Sequence, residues 1–377
     1  MWRLERIRTC PRSLRSLRAL FFNSSVQRKL STRATFHYLE DRTEYKTTKP
    51  YHINLPERAL PPGLQSNEVS IPYHGISVAD IRDRQHNFKL DIHGFEVVVE
   101  DANDPSSLVN CIGYEDYADE ALVRSKVREG VEAFLKRHIS GCEDVVAFSH
   151  QARQVRRRDQ QFPALPRGTD GRIPQPVQGV HIDMTPDGAR SEIHESLLAR
   201  GYSDISTRRW AVISTWRPLF GPLQDWPLAM MDYRSLDVFR DLIASDNIYL
   251  HKIRENYNVL WNKSHKWYFL ENHQPNEVLV FKTFDTYAGK GNARACPHAA
   301  FRNPLGPENA RPRESHECLS VVLFPEGSAE PNPYEEVDPR CSTICLIGMP
   351  NNIQPLPSET PPELLGQKLA EMRGGIE

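Results

Sequence analysis

The chain reads as mainly β with flanking helices, built around a double-stranded β-helix (jelly-roll) core. Short runs rich in Val, Ile, Trp, Tyr and Phe recur along it, separated by Gly, Pro and Asn turns. Most of these runs follow the triplet His181-Ile182-Asp183, which Val180 leads into and the turn Pro186-Asp187-Gly188 closes. Segments with helical spacing are fewer and are expected to pack outside the roll.

From the amino end, residues 1–33 carry Arg3, Arg6, Arg8, Arg12, Arg15, Arg18, Arg28, Lys29 and Arg33 against a single acid, Glu5. On a helix Leu14, Leu17 and Phe21 share one side. That is the basic amphipathic pattern of a mitochondrial presequence, and a disordered basic extension fits it as well. Ala34 to Pro62 is polar with aromatic anchors Phe36, Tyr38, Tyr45 and Tyr51, and is expected to wrap the core as an arm. Strands are predicted between Val69 and Val99, interrupted at Gly75 and Gly94. A helix is predicted over 116–138, where Leu122, Val123, Val127, Val131, Phe134 and Leu135 keep helical spacing before Gly141.

A strand at 145–148 precedes Arg153 and the run Arg156-Arg157-Arg158, a solvated surface or the rim of a pocket for an acidic substrate. A Pro-rich loop over 162–177 leads to the triplet. After it come a helix over 189–200 ended by Gly201, a strand over 210–216, and a helix over 235–245 around Leu236, Phe239, Leu242 and Ile243. Strands at 257–261, 266–270 and 277–284 are expected to form an antiparallel meander through turns at Asn262-Lys263 and Gln274-Pro275-Asn276. Further strands follow at 294–301 and 314–324. The domain is expected to span 34–324, with 325–377 a disordered Pro-rich tail.

Composition narrows the class. With 39% apolar and 25% charged residues this is an ordinary globular composition. A net charge of -2 gives no argument for a nucleic-acid or anionic-membrane partner, and no apolar run approaches a membrane span. A small-molecule substrate is the expected partner; no pattern bears on oligomeric state. The seven Cys are odd in number, scattered and without CxxC spacing. Free thiols in a reducing compartment follow: intracellular, cytoplasmic, or mitochondrial if residues 1–33 act as a presequence. Cys296 is expected to be a buried neutral thiol.

His181 and Asp183, two apart on a strand, point to one face and can meet one metal. A distant His, with His298 the candidate, completes two His and one carboxylate, which leaves three positions of an octahedral Fe(II) open. With 14 His and 49 acids, roughly two His-x-Asp/Glu triplets are expected by chance, so the triplet gains weight from its context. Part of that context is Arg313-Glu314-Ser315: Arg313 and Ser315 on one face could hold the carboxylate of a 2-oxo acid by a fork of donors and a hydroxyl. Arg217, a cation on a central strand, needs either Asp232 or a bound carboxylate as partner; it is the second candidate for the cosubstrate. Trp210, Trp216, Trp267 and Tyr268 suit a pocket wall or core packing equally.

Ala34-Thr35-Phe36-His37-Tyr38-Leu39, His181-Ile182-Asp183, Trp216-Arg217-Pro218-Leu219, Pro227-Leu228-Ala229, Phe281-Lys282-Thr283-Phe284-Asp285, Pro297-His298-Ala299-Ala300-Phe301 and Pro312-Arg313-Glu314-Ser315 stand in an ordered set. In this the chain resembles the fungal hydroxylase/desaturase family that includes gibberellin desaturase, the aspergillic-acid-cluster oxidase and relatives of the small component of cephamycin methoxylase, over residues 34–324. The resemblance implies an Fe(II)/2-oxoglutarate-dependent oxygenase of secondary metabolism, with His181, Asp183 and His298 on iron and Arg313 with Ser315 on the distal carboxylate of 2-oxoglutarate. Leu319 stands where that family's strand carries Arg, and Ser214 where it carries Asn. Two other classes use the same residues: a Zn(II) hydrolase, in which Arg313 and Ser315 have no role, and a non-catalytic barrel with a remnant site.

Overall fold

The structure, a computed structural model, describes residues 31–329 apart from 56–58, 156–175 and 288–290, with the backbone alone over 151–155. The basic extension up to residue 30, Arg156-Arg157-Arg158, most of the Pro-rich loop, Cys10, Cys341, Cys345 and the tail from 330 onward lie outside the described residues.

The strands are β1 (Ser31–Leu39), β2 (Tyr51–Ile53), β3 (Ser70–Asp80), β4 (Phe95–Val99), β5 (Asp144–Val155), β6 (His181–Ile182), β7 (Arg208–Pro218), β8 (Leu228–Met231), β9 (Leu242–Ile248), β10 (Ile253–Val259), β11 (Trp267–Phe269), β12 (Glu277–Asp285), β13 (His298–Ala300) and β14 (Glu314–Glu326). They form a larger sheet in the order β1-β3-β11-β8-β13-β6-β10-β9-β2 and a smaller one in the order β4-β12-β7-β14-β5. The jelly roll is the space between them.

β7 and β12 read as near-continuous apolar runs because both of their faces are covered. β12 is buried at every position and β7 from Trp210 onward. One face, with Ala211, Ile213, Val278 and Val280, packs under the helix Arg128–His138 through Val131, Phe134 and Leu135. Each of these three is fully buried, which contributes about 1.5–3 kcal/mol per side chain before entropy. The other face, with Trp216, Leu279 and Phe281, meets Leu228 and Met230 of the larger sheet. The predicted helix over 116–138 forms as a chain of turns ending in that helix, with a π-helical stretch at Val123–Val127. The helix Pro186–Arg200 is set by its ends: the Thr185 hydroxyl accepts from the Gly188 amide, and Gly201 closes it at φ 97°.

Three expectations are corrected. The 34–62 arm is in part sheet: β1 pairs along β3 as the edge of the larger sheet, with Phe36 stacked on Trp267 at 4.2 Å. Residues 235–245 are not one helix but a single turn, Val238–Asp241, followed by β9. Leu242 and Ile243 suit either state by spacing, and pairing with β10 on one side and β2 on the other decides for strand. The three strands after it form no meander: β10 pairs with β9 and β6, β11 with β3 and β8, and β12 lies in the smaller sheet. The turns exist, but the first carries the chain to a distant place in the larger sheet and the second carries it to the smaller sheet.

Gly94 sits where β4 begins, at φ 87°, and a Cβ there would lie 2.5 Å from the Ala295 carbonyl oxygen. Gly94→Ala is therefore expected to destabilise the fold by about 2–4 kcal/mol, from left-handed backbone strain plus overpacking. A melting curve checks it: an unchanged midpoint would show that the 295 segment yields without cost.

Candidate metal centre and adjoining pockets

His181 and His298 are direct partners across β6 and β13, and their rings lie 4.4 Å apart. Asp183 follows at the bend that ends β6. The His181 Nε2 is 3.5 Å and the His298 Nε2 3.7 Å from the Asp183 Oδ1, and one ligand atom from each residue falls within 4.8 Å of the others. Donors on adjacent corners of an octahedron with bonds of about 2.1 Å lie roughly 3 Å apart, so the three are spread slightly wider than a bound ion would hold them.

The histidines are preset for ligation. His181 Nδ1–H donates to the Gly179 carbonyl at 2.7 Å and His298 Nδ1–H to the Cys296 carbonyl at 3.0 Å. A carbonyl can only accept, so each Nδ1 holds the proton and each Nε2 keeps its lone pair toward the shared corner. Phe281 packs on His298 at 4.7 Å, and the Thr283 hydroxyl donates to Asp183 Oδ2 at 3.4 Å. Thr283 shares strand parity with Phe281, and the β12–β7 register shift between Lys282 and Phe284 brings Phe284 to the same side. Cys296 is a buried thiol, its pKa raised well above the ordinary value by burial.

Arg313, Ser315 and Glu317 alternate along β14 toward the interior of the roll. Arg313 is 2% exposed; its Nε donates to Ser315 Oγ at 3.1 Å, its Nη1 to the Trp226 carbonyl at 3.0 Å, and its guanidinium lies over Trp216 at 4.9 Å. Burial pushes the guanidinium down to about 10, against the raising influence of Glu317 and Asp225, so it stays charged at neutral pH. Glu317 accepts from Ser214 Oγ at 2.7 Å. Burial, with the Asp183 charge adding to it, pushes its carboxyl up to about 7, while His181 and Arg313 act the other way. Glu317 is half-buried within the roll. It thus feels the triad on one side and Arg313 on the other. The two departures from the family pattern face each other: Leu319 pairs with Ser214 across β14 and β7, and Leu319 packs with the apolar cluster of Met184 and Phe284.

Arg217 is not part of this site. Trp216 points inward under Arg313, so Arg217, the next residue, points to the opposite face. There its Nη2 donates to the Tyr117 hydroxyl and it lies opposite His316, whose pKa burial holds well below the ordinary value. Nor does Asp232 pair with it; Asp232 binds Arg234 at 2.7 and 2.9 Å. Trp210, Trp216 and Trp267 fall in three packed clusters and Tyr268 against one of them.

A cavity of about 310 Å³ lies next to the triad's neighbours rather than being lined by the triad itself: Thr283, which bonds Asp183, and Ile182 are on its wall, with mainly apolar side chains such as Met184, Leu236 and Phe284 around the rest. Sequence reasoning missed this cavity, Thr283 and Glu317. Of these Glu317 was readable, because it shares strand parity with Arg313 and Ser315; the cavity is assembled from segments that no local pattern connects.

A family model described as "Oxidoreductase/YMDC permease-like domain" matches residues 36–323. Among curated proteins, the chain is 30% identical over 270 residues to the "Fe(II)/2-oxoglutarate-dependent dioxygenase nvfI" of Aspergillus novofumigatus, covering 70% of this chain and 87% of that protein. It is 30% identical over 271 residues to the "Hydroxylase/desaturase efuI" of Hormonema carpetanum, covering 68% and 85%. It is also similar to the "Gibberellin cluster GA4 desaturase" of Gibberella fujikuroi, at 26% identity, 66% of this chain and 86% of that one. Among solved structures, "iron and alpha-ketoglutarate-dependent endoperoxidase NvfI" superposes with a TM-score of 0.62 at 26% identity, over 79% of this chain and 99% of that one. With the jelly roll, the triad and these relatives in agreement, the chain belongs to the fungal family of Fe(II)/2-oxoglutarate-dependent dioxygenases and hydroxylase/desaturases.

Proposed function

We propose that this oxidoreductase binds Fe(II) through His181, Asp183 and His298, binds 2-oxoglutarate with Arg313 and Ser315, and hydroxylates or desaturates a small molecule of secondary metabolism held in the adjoining cavity. The observation that carries the reading is that two Nε2 atoms and a carboxylate share one corner, with an inward-facing Arg–Ser clamp on the opposing sheet. Bound there, iron supplies the oxidative decarboxylation of the 2-oxo acid by dioxygen, yielding succinate and carbon dioxide, and the removal of hydrogen from an unactivated C–H bond.

The chain's own residues do the rest. Arg313 offers a planar fork to the distal carboxylate and Ser315 a hydroxyl beside it. Trp216 beneath the guanidinium and Trp226 through its carbonyl fix the fork, so little rotamer freedom is lost when the acid binds. Glu317, raised toward neutrality by burial, adds less negative charge beside an incoming dianion than an ordinary Glu would. The largely apolar cavity offers the substrate a wall that includes Ile182 and Thr283. In a Zn(II) hydrolase the buried clamp would have no carboxylate to hold, so the geometry favours the oxygenase.

The partner is then a small molecule rather than a nucleic acid, and no helix among the described residues is long and apolar enough to cross a membrane. The free thiols of Cys111, Cys142, Cys296 and Cys318 support an intracellular setting, cytoplasmic or mitochondrial. The test is anaerobic reconstitution of the full chain with Fe(II) and 2-oxoglutarate. A weak visible charge-transfer band, followed by succinate formation on admitting oxygen, is expected; folded protein with neither would overturn the assignment.

A further inference from the structure

We propose that the substrate is a largely apolar molecule carrying a carboxylate, and that Arg294 is the residue that selects it. This rests on the oxygenase reading above and adds the substrate's chemical class.

The cavity wall is mostly apolar, and none of its described lining residues is acidic. Two arginines interrupt it, Arg234 and Arg294. Arg234 is already neutralised, since Asp232 receives both its Nε and its Nη2. Arg294 is not: its Nε is buried with no acceptor, and it takes part in no ion pair among the described residues. Its one resolved contact is a ring, with the guanidinium carbon 5.1 Å from the centroid of Phe284, another cavity residue. Its Nε–H is a buried donor that an incoming acceptor would satisfy, while the side chain as a whole is half-buried at the cavity wall, where a ligand can meet it.

Position matches chemistry. Arg294 lies on the segment that runs through Ala295, also on the cavity wall, to Cys296, whose carbonyl orients the imidazole of His298. A substrate anchored at Arg294 therefore spans from that residue toward Ile182 and Thr283, with its apolar body against Met184, Leu236 and Phe284. A single guanidinium backed by an aromatic face matches a planar carboxylate through two parallel hydrogen bonds. A phosphate dianion would call for several unpaired cations or a row of backbone amides, whereas of the two arginines among the described lining residues one is already paired with Asp232. The anchor also sets which C–H faces the triad, since one fixed end of a rigid molecule determines what lies at the other.

The test uses the enzyme loaded anaerobically with Fe(II) and 2-oxoglutarate, and two probes matched in shape, pyrenebutanoate and its primary amide, titrated by fluorescence anisotropy. The parent is expected to bind the acid at least about tenfold more tightly than the amide. Arg294→Leu should remove that preference while leaving amide affinity unchanged, which shows the apolar cavity intact; Arg294→Lys should keep part of it. Both variants should retain the charge-transfer band and their 2-oxoglutarate affinity. Equal binding of the two probes by the parent, failure of both to bind, a preference that survives Arg294→Leu, or a loss of 2-oxoglutarate rather than probe would each overturn the proposal. A missing band in the parent would instead sink the oxygenase reading and, with it, the designation of the anion as a substrate group.

Discussion

His298→Ala is expected to abolish the charge-transfer band and succinate formation together. Removing residues that merely support a ligand typically costs about 10–100-fold in metal affinity, so loss of a ligand should exceed that range. His298 is 4% exposed and packs against Phe281 and His181, so Ala also leaves a void. His298→Gln fills much of that void while offering iron a poor ligand, and should lose the band with a melting midpoint close to the parent's. If either variant keeps the band at parental Fe(II) concentration, the third ligand is another residue. Asp183 already meets both imidazoles at 3.5 and 3.7 Å, and Asp183→Asn then becomes the variant to compare.

Arg313→Ala should leave iron binding near the parental value and weaken 2-oxoglutarate by roughly 10–150-fold, the equivalent of about 1.5–3 kcal/mol for a charged hydrogen-bonded pair. Titration of the band against 2-oxoglutarate at saturating Fe(II) reads this directly. The variant also strips the Trp226 carbonyl of its donor and uncovers the face of Trp216, so a modest fall in thermal stability should accompany it. Arg313→Lys keeps the charge but not the fork, and should fall between. The opposite pattern, 2-oxoglutarate untouched by Arg313→Ala and weakened by Arg217→Ala, would contradict the geometry, because Arg217 points to Tyr117 on the other side of the sheet.

The site was legible where one strand carries it. His181 with Asp183, and Arg313 with Ser315, are two-residue steps, and period two gives their common face without knowledge of partners. The same parity argument was available for Arg217, but which face of a strand looks inward depends on what covers each side. The sequence does not say that the helix Arg128–His138 takes one face of β7 and the larger sheet the other. Strand existence was likewise easier to read than strand partnership. The segments around Tyr257, Trp267 and Glu277 were recognisable, yet consecutive strands with tight turns suggest a meander, whereas the jelly roll sends them to separate places in two sheets. Helical and extended spacing coincide for Leu242 and Ile243, so long-range pairing alone could settle that stretch.

β6 is two residues long, joined to β13 by the single pair His181–His298 and to β10 by two pairs, one from each of its residues. The strand that joins the two halves of the larger sheet is therefore its thinnest seam, and the three proposed ligands lie on or beside that seam. An ion gripped by both strands acts as a rivet there: each unit of free energy gained on loading iron is also gained against parting of β6 from β13. Emptying the site should thus be felt first as fraying of amide protection along residues 179–183 and 298–300, long before the helix-covered smaller sheet responds.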